Sequence, residues 1–231
     1  MTLLALAIAP GLVICFYIFY KDMYNPEPLM KLVLTFILGA LVVIPAGLIE
    51  QAAKPYFDNT ISSTALFAYG VVALAEETGK FLVLRYYAYP KQSFDEPLDG
   101  IVYGVMASMG FATVENILYV GQSGLGTAIV RMFLSVPAHA SFAVLMGYYA
   151  GKAKFNPRQS FALLFTGLVL AVFFHGTFDF LLFLQNSPYV QPYVSDGLLF
   201  LGAISSFFVA IRLSKRLINQ HQDLSKKTFV R

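Results

Sequence analysis

Seven apolar stretches, each about as long as a lipid bilayer requires, alternate with short polar breaks along this chain. They lie at about 3–20, 30–50, 65–85, 101–121, 127–150, 160–184 and 196–213. One crossing takes ~20 mostly apolar residues. The pattern therefore predicts an all-α, polytopic membrane helix bundle of about seven transmembrane helices. The breaks carry the residues that end helices: NPEP at 25–28 and DEPLDG at 95–100 are proline-punctuated turns. Gln51 to Ser63 is polar enough for the outer surface. No repeat occurs at a fixed period, direct or inverted. The expected organisation is one transmembrane domain, 1–214, and a basic cytoplasmic tail, 215–231.

Charge sets the orientation. The first stretch has no basic residue before it and Lys21 after it, which suits a retained helix with its N-terminus outside better than a signal peptide. On that topology thirteen of the sixteen Lys and Arg fall on the cytoplasmic side. Lys54 alone lies outside, and Lys80 and Arg131 lie within spans. Such a bias orients a membrane protein with its C-terminus in the cytoplasm. The end, KRLINQHQDLSKKTFVR, is expected to rest on anionic headgroups at ~1 kcal/mol per nearby cation, with His221 solvated. Composition agrees: 58% of residues are apolar and 13% charged, where soluble domains carry ~25% charged. An ordinary soluble enzyme is excluded, and a net charge of +3 offers no nucleic-acid surface. Cys15 is the only cysteine, so there is no intramolecular disulfide and no thiolate metal cage.

Ionisable groups inside spans cost ~2.5–3.5 kcal/mol each on insertion scales and are usually paired or functional. Glu50 and Arg131 sit near span ends and are expected to be interfacial, snorkelling groups. Seven others lie deeper. In the third stretch, GVVALAEETGKFLVL, Glu76 and Lys80 are i,i+4 and can pair on one face. Glu77 lies ~100° around the helix and needs another partner. The fourth places Gly100, Gly104, Ser108 and Ala112 at four-residue spacing, a small-residue stripe for close helix packing. That stripe turns the neighbouring Glu115 toward protein. The fifth carries Pro137 two residues before His139, and a proline there bends the helix and frees a carbonyl. The sixth sets His175 and Asp179 at i,i+4, with Gly176 leaving room beside them. At ~1.5 Å per residue, Glu76 and His139 lie roughly 15–18 Å from the outer end of their spans, His175 ~14 Å, Glu115 ~9 Å and Asp179 ~8 Å. Four helices thus bring polar groups to one layer. Four acids against one deep cation cannot all be ionised, which leaves a carboxyl free to take or give a proton.

The order EETGK, FATVE, SVPAH, HGTFD on successive helices resembles the PrsW family of bacterial intramembrane proteases. This family is distantly related to the CAAX prenyl endopeptidases and the bacteriocin-immunity-like membrane proteases. The wider superfamily carries EExxxR, FxxxH and HxxxN patterns. Here Lys80 comes one position early, Glu115 stands where the second has imidazole, and Asp179 replaces the final Asn. The resemblance covers essentially the whole chain. It implies a multi-pass protease of the bacterial cell membrane whose substrate is a single-pass, anti-sigma-factor-like membrane protein. The cut would be the first of two that release a sigma factor for envelope-stress transcription.

The expected chemistry is peptide hydrolysis by activated water, with no cofactor and no metal. The candidate catalytic residues are Glu76, Glu77, Glu115, His139, His175 and Asp179. Glu76 is the candidate base, with His139 holding the water and Glu77 and Lys80 tuning the charge. His175, oriented by Asp179, would donate to the oxyanion. A Zn²⁺ site on Glu76, His139 and His175 is the close rival, although no HExxH helix is present. A proton-coupled transporter and a non-catalytic scaffold are the rivals from other classes. Against the transporter, no ladder of ionisable groups reaches the cytoplasmic side.

Overall fold

The structure, a computed structural model, describes residues 2–230, and every regular element among them is helical. A helix satisfies its own backbone hydrogen bonds, which is what long apolar segments in lipid require. The α-helices are α1 (Thr2–Lys21), α2 (Leu29–Ala53), α3 (Ile61–Ala65), α4 (Leu74–Leu82), α5 (Pro97–Phe133), α6 (Ser135–Lys154), α7 (Ser160–Phe183) and α8 (Asp196–Phe229). Five helical stretches are long and apolar enough to cross a membrane: Thr2–Lys21, Leu29–Tyr56, Pro97–Lys154, Pro157–Asn186 and Asp196–Phe229.

Three of the expected spans differ from the pattern. The third is not one α-helix: α4 is flanked by π-helical turns, Leu66–Ala73 and Val83–Ala88. Such wide i→i+5 turns are rare and occur mostly as short bulges at functional sites. Here they bracket the EETGK segment. The fourth and fifth fall within the single 58-residue stretch Pro97–Lys154. It doubles back, since α5 and α6 lie against each other. The reversal uses Gly124, whose φ of 77° and ψ of −157° break α5 where a Cβ would be strained. A further turn at Leu134 means that the fifth expected span begins at Ser135, not near 127.

α5 is the axis of the molecule. Every residue from Leu98 to Thr113 is buried, so this helix is enclosed on all faces, by α1, α2 and α6 above all. The small-residue stripe faces α6: a Cβ on Gly100 would stand 2.2 Å from the Gly147 carbonyl oxygen. Only small residues allow backbones this close. Ser108, on the same stripe, donates a hydrogen bond to the His139 carbonyl at 3.0 Å. Packing and site geometry are thereby coupled. α1 and α2 carry outward Leu12, Val13, Phe16, Ile37, Leu41, Ile44 and Leu48, the apolar surface that lipid covers.

The chain beyond residue 214 continues α8 instead of leaving it. Leu217, Ile218, His221 and Ser225 are buried along one face. His221, expected in solvent, is 5% exposed and stacks on Tyr148 at 4.2 Å. Its neighbours in sequence are basic and polar, but the i, i+3, i+4 spacing of the buried face carries it inward.

Candidate active site

Lys80 is the hub of the buried polar layer. Its ammonium, 2% exposed, donates to Glu76 Oε2 at 3.0 Å and to Glu77 Oε1 at 2.8 Å. It also lies 3.1 Å from His139 Nδ1 and 4.1 Å from the centroid of the Phe111 ring. One cation thus serves both acids, although they lie on different faces of α4. The spacing also asked for a separate partner for Glu77, and His175 is that partner, with Nδ1 2.8 Å from Glu77 Oε1. The other nitrogen, Nε2, faces Asp179 Oδ2 at 3.1 Å. Both ring edges are therefore fixed by carboxylates, and the imidazole cannot rotate without losing one. Gly176 makes a close approach possible, but the space beside it is filled: a Cβ there would meet the Tyr69 ring at 2.3 Å.

His139 is held from the opposite side. Its Nε2 lies 3.0 Å from Glu115 Oε2, and the same oxygen accepts from Arg131 at 2.7 Å. Arg131 Nε donates to Asn116 Oδ1 at 3.0 Å, and Asn116 donates to the Ala7 carbonyl at 2.9 Å. Because Lys80 Nζ can only donate, His139 Nδ1 is the acceptor there, which leaves the proton on Nε2 for Glu115. The two imidazoles stand edge to face with centroids 5.0 Å apart. Between them lies Glu76 Oε2, 4.0 Å from His139 Nδ1 and 3.9 Å from His175 Nε2. Both gaps are too long for direct hydrogen bonds; the Lys80 ammonium bridges the one to His139, and the one to His175 is of a length that a small third group can bridge.

A cavity of about 860 Å³ opens onto this cluster. Glu76, Glu115, His139, His175 and Asp179 line its floor, and Gln51, Lys54, Asp58, Asn59 and Asn186 its polar mouth. Glu77 Oε2 is sealed behind the floor with no hydrogen-bond partner among the described residues. All six candidate residues are brought together, Glu77 as a buried neighbour and the other five at the cavity. Glu50 and Arg131, expected as interfacial groups, also line it. Arg131 sits on the segment between Gly124 and Leu134, which turns back toward Glu115. Its pairing across that break leaves no mark in local spacing.

The fold and site together define a polytopic helical membrane protein with a Glu/His cluster at the floor of a water-sized-to-peptide-sized cavity. Comparison with known proteins identifies it further. The chain belongs to the PrsW family: residues 27–211 match the family described as PrsW family intramembrane metalloprotease. It is 40% identical over 181 residues to Protease PrsW of Geobacillus kaustophilus (strain HTA426), which covers 78% of this chain and 80% of that protein. Protease PrsW of Bacillus subtilis (strain 168) is 36% identical over 181 residues, 78% of this chain and 82% of the relative. Protease PrsW of Clostridioides difficile (strain 630) is 36% identical over 191 residues, with 79% and 80% covered. No solved structure matches the chain. The chain is therefore a multi-pass membrane protein of a bacterial type and an intramembrane peptidase.

The family description implies a metal, and the residues present fit one. Glu76, Glu77, His139 and His175 can each offer one ligand atom, all within 4.8 Å of one another. Imidazole nitrogens with carboxylate oxygen are a donor set that suits Zn²⁺. Glu115, bonded to the His139 nitrogen that points away from Glu76, holds that ring as an outer carboxylate does at such sites, whereas His175 has a carboxylate on each nitrogen, Glu77 on Nδ1 and Asp179 on Nε2.

Proposed function

We propose that this protease hydrolyses a peptide bond of a membrane-anchored, single-pass protein, using water activated by Glu76. The observation that carries the reading is the position of Glu76 Oε2, about 4 Å from a nitrogen of each imidazole and open to the cavity. A water seated there attacks the scissile carbonyl carbon. Its proton passes to Glu76 and on to the leaving amine. The His175 Nε2–H, held by Asp179 in the resting site and facing Glu76, turns from the Asp179 carboxylate to the developing oxyanion. His139, fixed by Glu115 and Arg131, accepts from Lys80 and so positions its ammonium beside the water. Lys80 keeps the adjacent acids from repelling each other out of place.

A second reading is favoured by the convergence of the same donor atoms and by the family's description as metalloproteases. In it Glu76, His139 and His175 hold the ion, which supplies Lewis-acid polarisation and a more acidic water when bound. The remaining carboxylates then do the proton transfers. The substrate class follows from the family resemblance: an anti-sigma-factor-like protein receiving the first of two cuts. The topology that goes with it is seven spans with the N-terminus outside, supported by the thirteen-to-one distribution of loop and tail basic residues.

The test uses purified protein in proteoliposomes with a tagged single-pass substrate. Glu76→Gln should lower cleavage by at least ~10²-fold while the protein stays inserted and folded. Chelator-treated wild type should keep its activity, with well under one metal ion per chain by elemental analysis. Loss on chelation and recovery with Zn²⁺ would establish the second reading and make Glu76 a ligand. Full activity in a folded Glu76→Gln protein would remove Glu76 from both.

A further inference from the structure

A second cluster of buried acids lies far from the first, at the other end of α2 and α5. The segments that carry it resemble plain turns in the sequence: the end of α1 with NPEP, and DEPLDG leading into α5. Asp99 is sixteen residues before Glu115 along α5, or about 24 Å, so this cluster is no part of the cavity described above.

Asp22, Glu96 and Asp99 are 0%, 3% and 0% exposed. Each has one oxygen committed to a wall. Asp22 Oδ2 accepts from the Glu27 backbone N–H at 2.8 Å. Asp99 Oδ2 accepts from the backbone N–H groups of Asp95 and Glu96, both at 2.8 Å. Glu96 Oε1 accepts from the Ser225 hydroxyl of α8 at 2.9 Å, and the Glu96 side chain also caps α5 by accepting from the Asp99 backbone N–H. The second oxygen of each, Asp22 Oδ1, Glu96 Oε2 and Asp99 Oδ1, is sealed from solvent and has no hydrogen-bond partner among the described residues. The three carboxyls nevertheless present oxygens within 4.8 Å of one another. Glu27, also buried, adjoins them and accepts from the Tyr103 hydroxyl.

Three orphaned carboxylate oxygens in one enclosed place are not what acid clusters usually show. Buried polar atoms nearly always find a partner, and three failures together call for a missing one. Among the described residues no Lys or Arg forms an ion pair with any of the three; the ion pairs of Lys and Arg lie in the other cluster. A small cation would satisfy all three at once and offset their like charge. The donors are all oxygen, with neither imidazole nor thiolate among them, which suits a hard divalent ion and not Zn²⁺.

We propose that Asp22, Glu96 and Asp99 form a binding site for a hard divalent cation, Mg²⁺ or Ca²⁺, that staples the end of α1 to the start of α5 and, through Ser225, to α8. The site is structural. It fixes the first turn of the helix that carries the small-residue stripe, and so the frame on which the distant Glu/His cluster is built. Protons are its competitors, because burial without a cation pushes Asp22 up to about 8 and Glu96 up to about 7.

The full chain, purified in detergent and stripped with chelator, tests this by thermal unfolding. Mg²⁺ or Ca²⁺ should raise Tm saturably, by about 5 °C or more at a hundredfold excess over Kd, with KCl of equal ionic strength giving no rise. The rise should persist in Glu76→Gln, which separates this site from the Glu/His cluster. It should vanish in Asp22→Asn/Glu96→Gln. No rise in wild type, or an equal rise in the double variant, would overturn the proposal. If the double variant does not fold, Tb³⁺ luminescence sensitised by tyrosine gives the answer on the Glu76→Gln background. Emission displaced by Mg²⁺ or Ca²⁺ and lost in Asp99→Asn supports the site, and emission unchanged in Asp99→Asn removes it.

Discussion

Arg131 carries a burden that its sequence position hides. Its side chain is 12% exposed and pairs with Glu115, 15% exposed, at 2.7 Å, while its Nε holds Asn116. Breaking a largely buried pair leaves one charge without compensation, which costs more than the pair itself contributes. Arg131→Met should therefore lose about 2–4 kcal/mol of stability by thermal unfolding. Much of that loss should return in Arg131→Met/Glu115→Gln, where no unpaired charge remains. If the double variant is as unstable as the sum of the singles, the pair is not the coupled unit described here. The contrast with Glu76, Glu77, His139, His175 and Asp179 is instructive. Those five stood out in the sequence as ionisable groups deep inside apolar stretches, where polarity is expensive and so informative. Arg131 lies near a span end, where charge is cheap and uninformative. Its partner, sixteen residues back, is brought to it by the chain reversal at Gly124 between them. Asp22, Glu96 and Asp99 were hidden for the same reason, since acids in proline-rich turns are normally solvated.

At the scale of elements, the apolar pattern identified where helices run but not how they are interrupted. The wide turns around α4 leave a hydrophobic run looking the same with or without them, whereas the break at Gly124 falls in the gap expected between the spans 101–121 and 127–150. The stripe of small residues was legible because close helix packing needs a strict spacing, and the structure adds its consequence. A Cβ on Gly147 would stand 2.3 Å from the Gly100 carbonyl oxygen and 2.7 Å from Ile101 Cα. Backbone cannot yield as a side chain can, so α5 and α6 must separate. Gly147→Val is expected to cost about 1–3 kcal/mol. It should also reduce cleavage, because the Ser108 hydroxyl grips α6 at His139. Gly121→Ala, where nothing lies within 4 Å of the added atom, is the control and should leave cleavage unchanged and stability unchanged or raised by up to ~1 kcal/mol. Equal behaviour of the two variants in unfolding and cleavage assays would show that the stripe does not set the register of His139.

For the whole molecule, the question is from which side a substrate meets the Glu/His layer. Away from the cluster, the described residues that line the cavity include Gln51, Lys54, Asp58 and Asn59 after α2 and Asn186 after α7, all at one end of the surrounding helices. Toward the other end, α5 is packed without a gap from Leu98 to Thr113. Phe142, beside both imidazoles, begins a run that is buried as far as Gly147 on α6. Such packing is a seal and not a route for water or peptide. The basic residues cluster at the packed end and in α8, and the charge rule would put that end in the cytoplasm on the proposed topology. A substrate should then be cut at or beyond the outer edge of its span, where local unwinding exposes the bond to the mouth. Mass spectrometry of the two product termini, with reporter fusions fixing the orientation of both proteins, reads this directly. Termini on the outer flank are expected. A cut on the cytoplasmic flank, with the reporters placing Gln51 to Ser63 outside, would mean that substrate enters through the packed end and that the cavity is not its path.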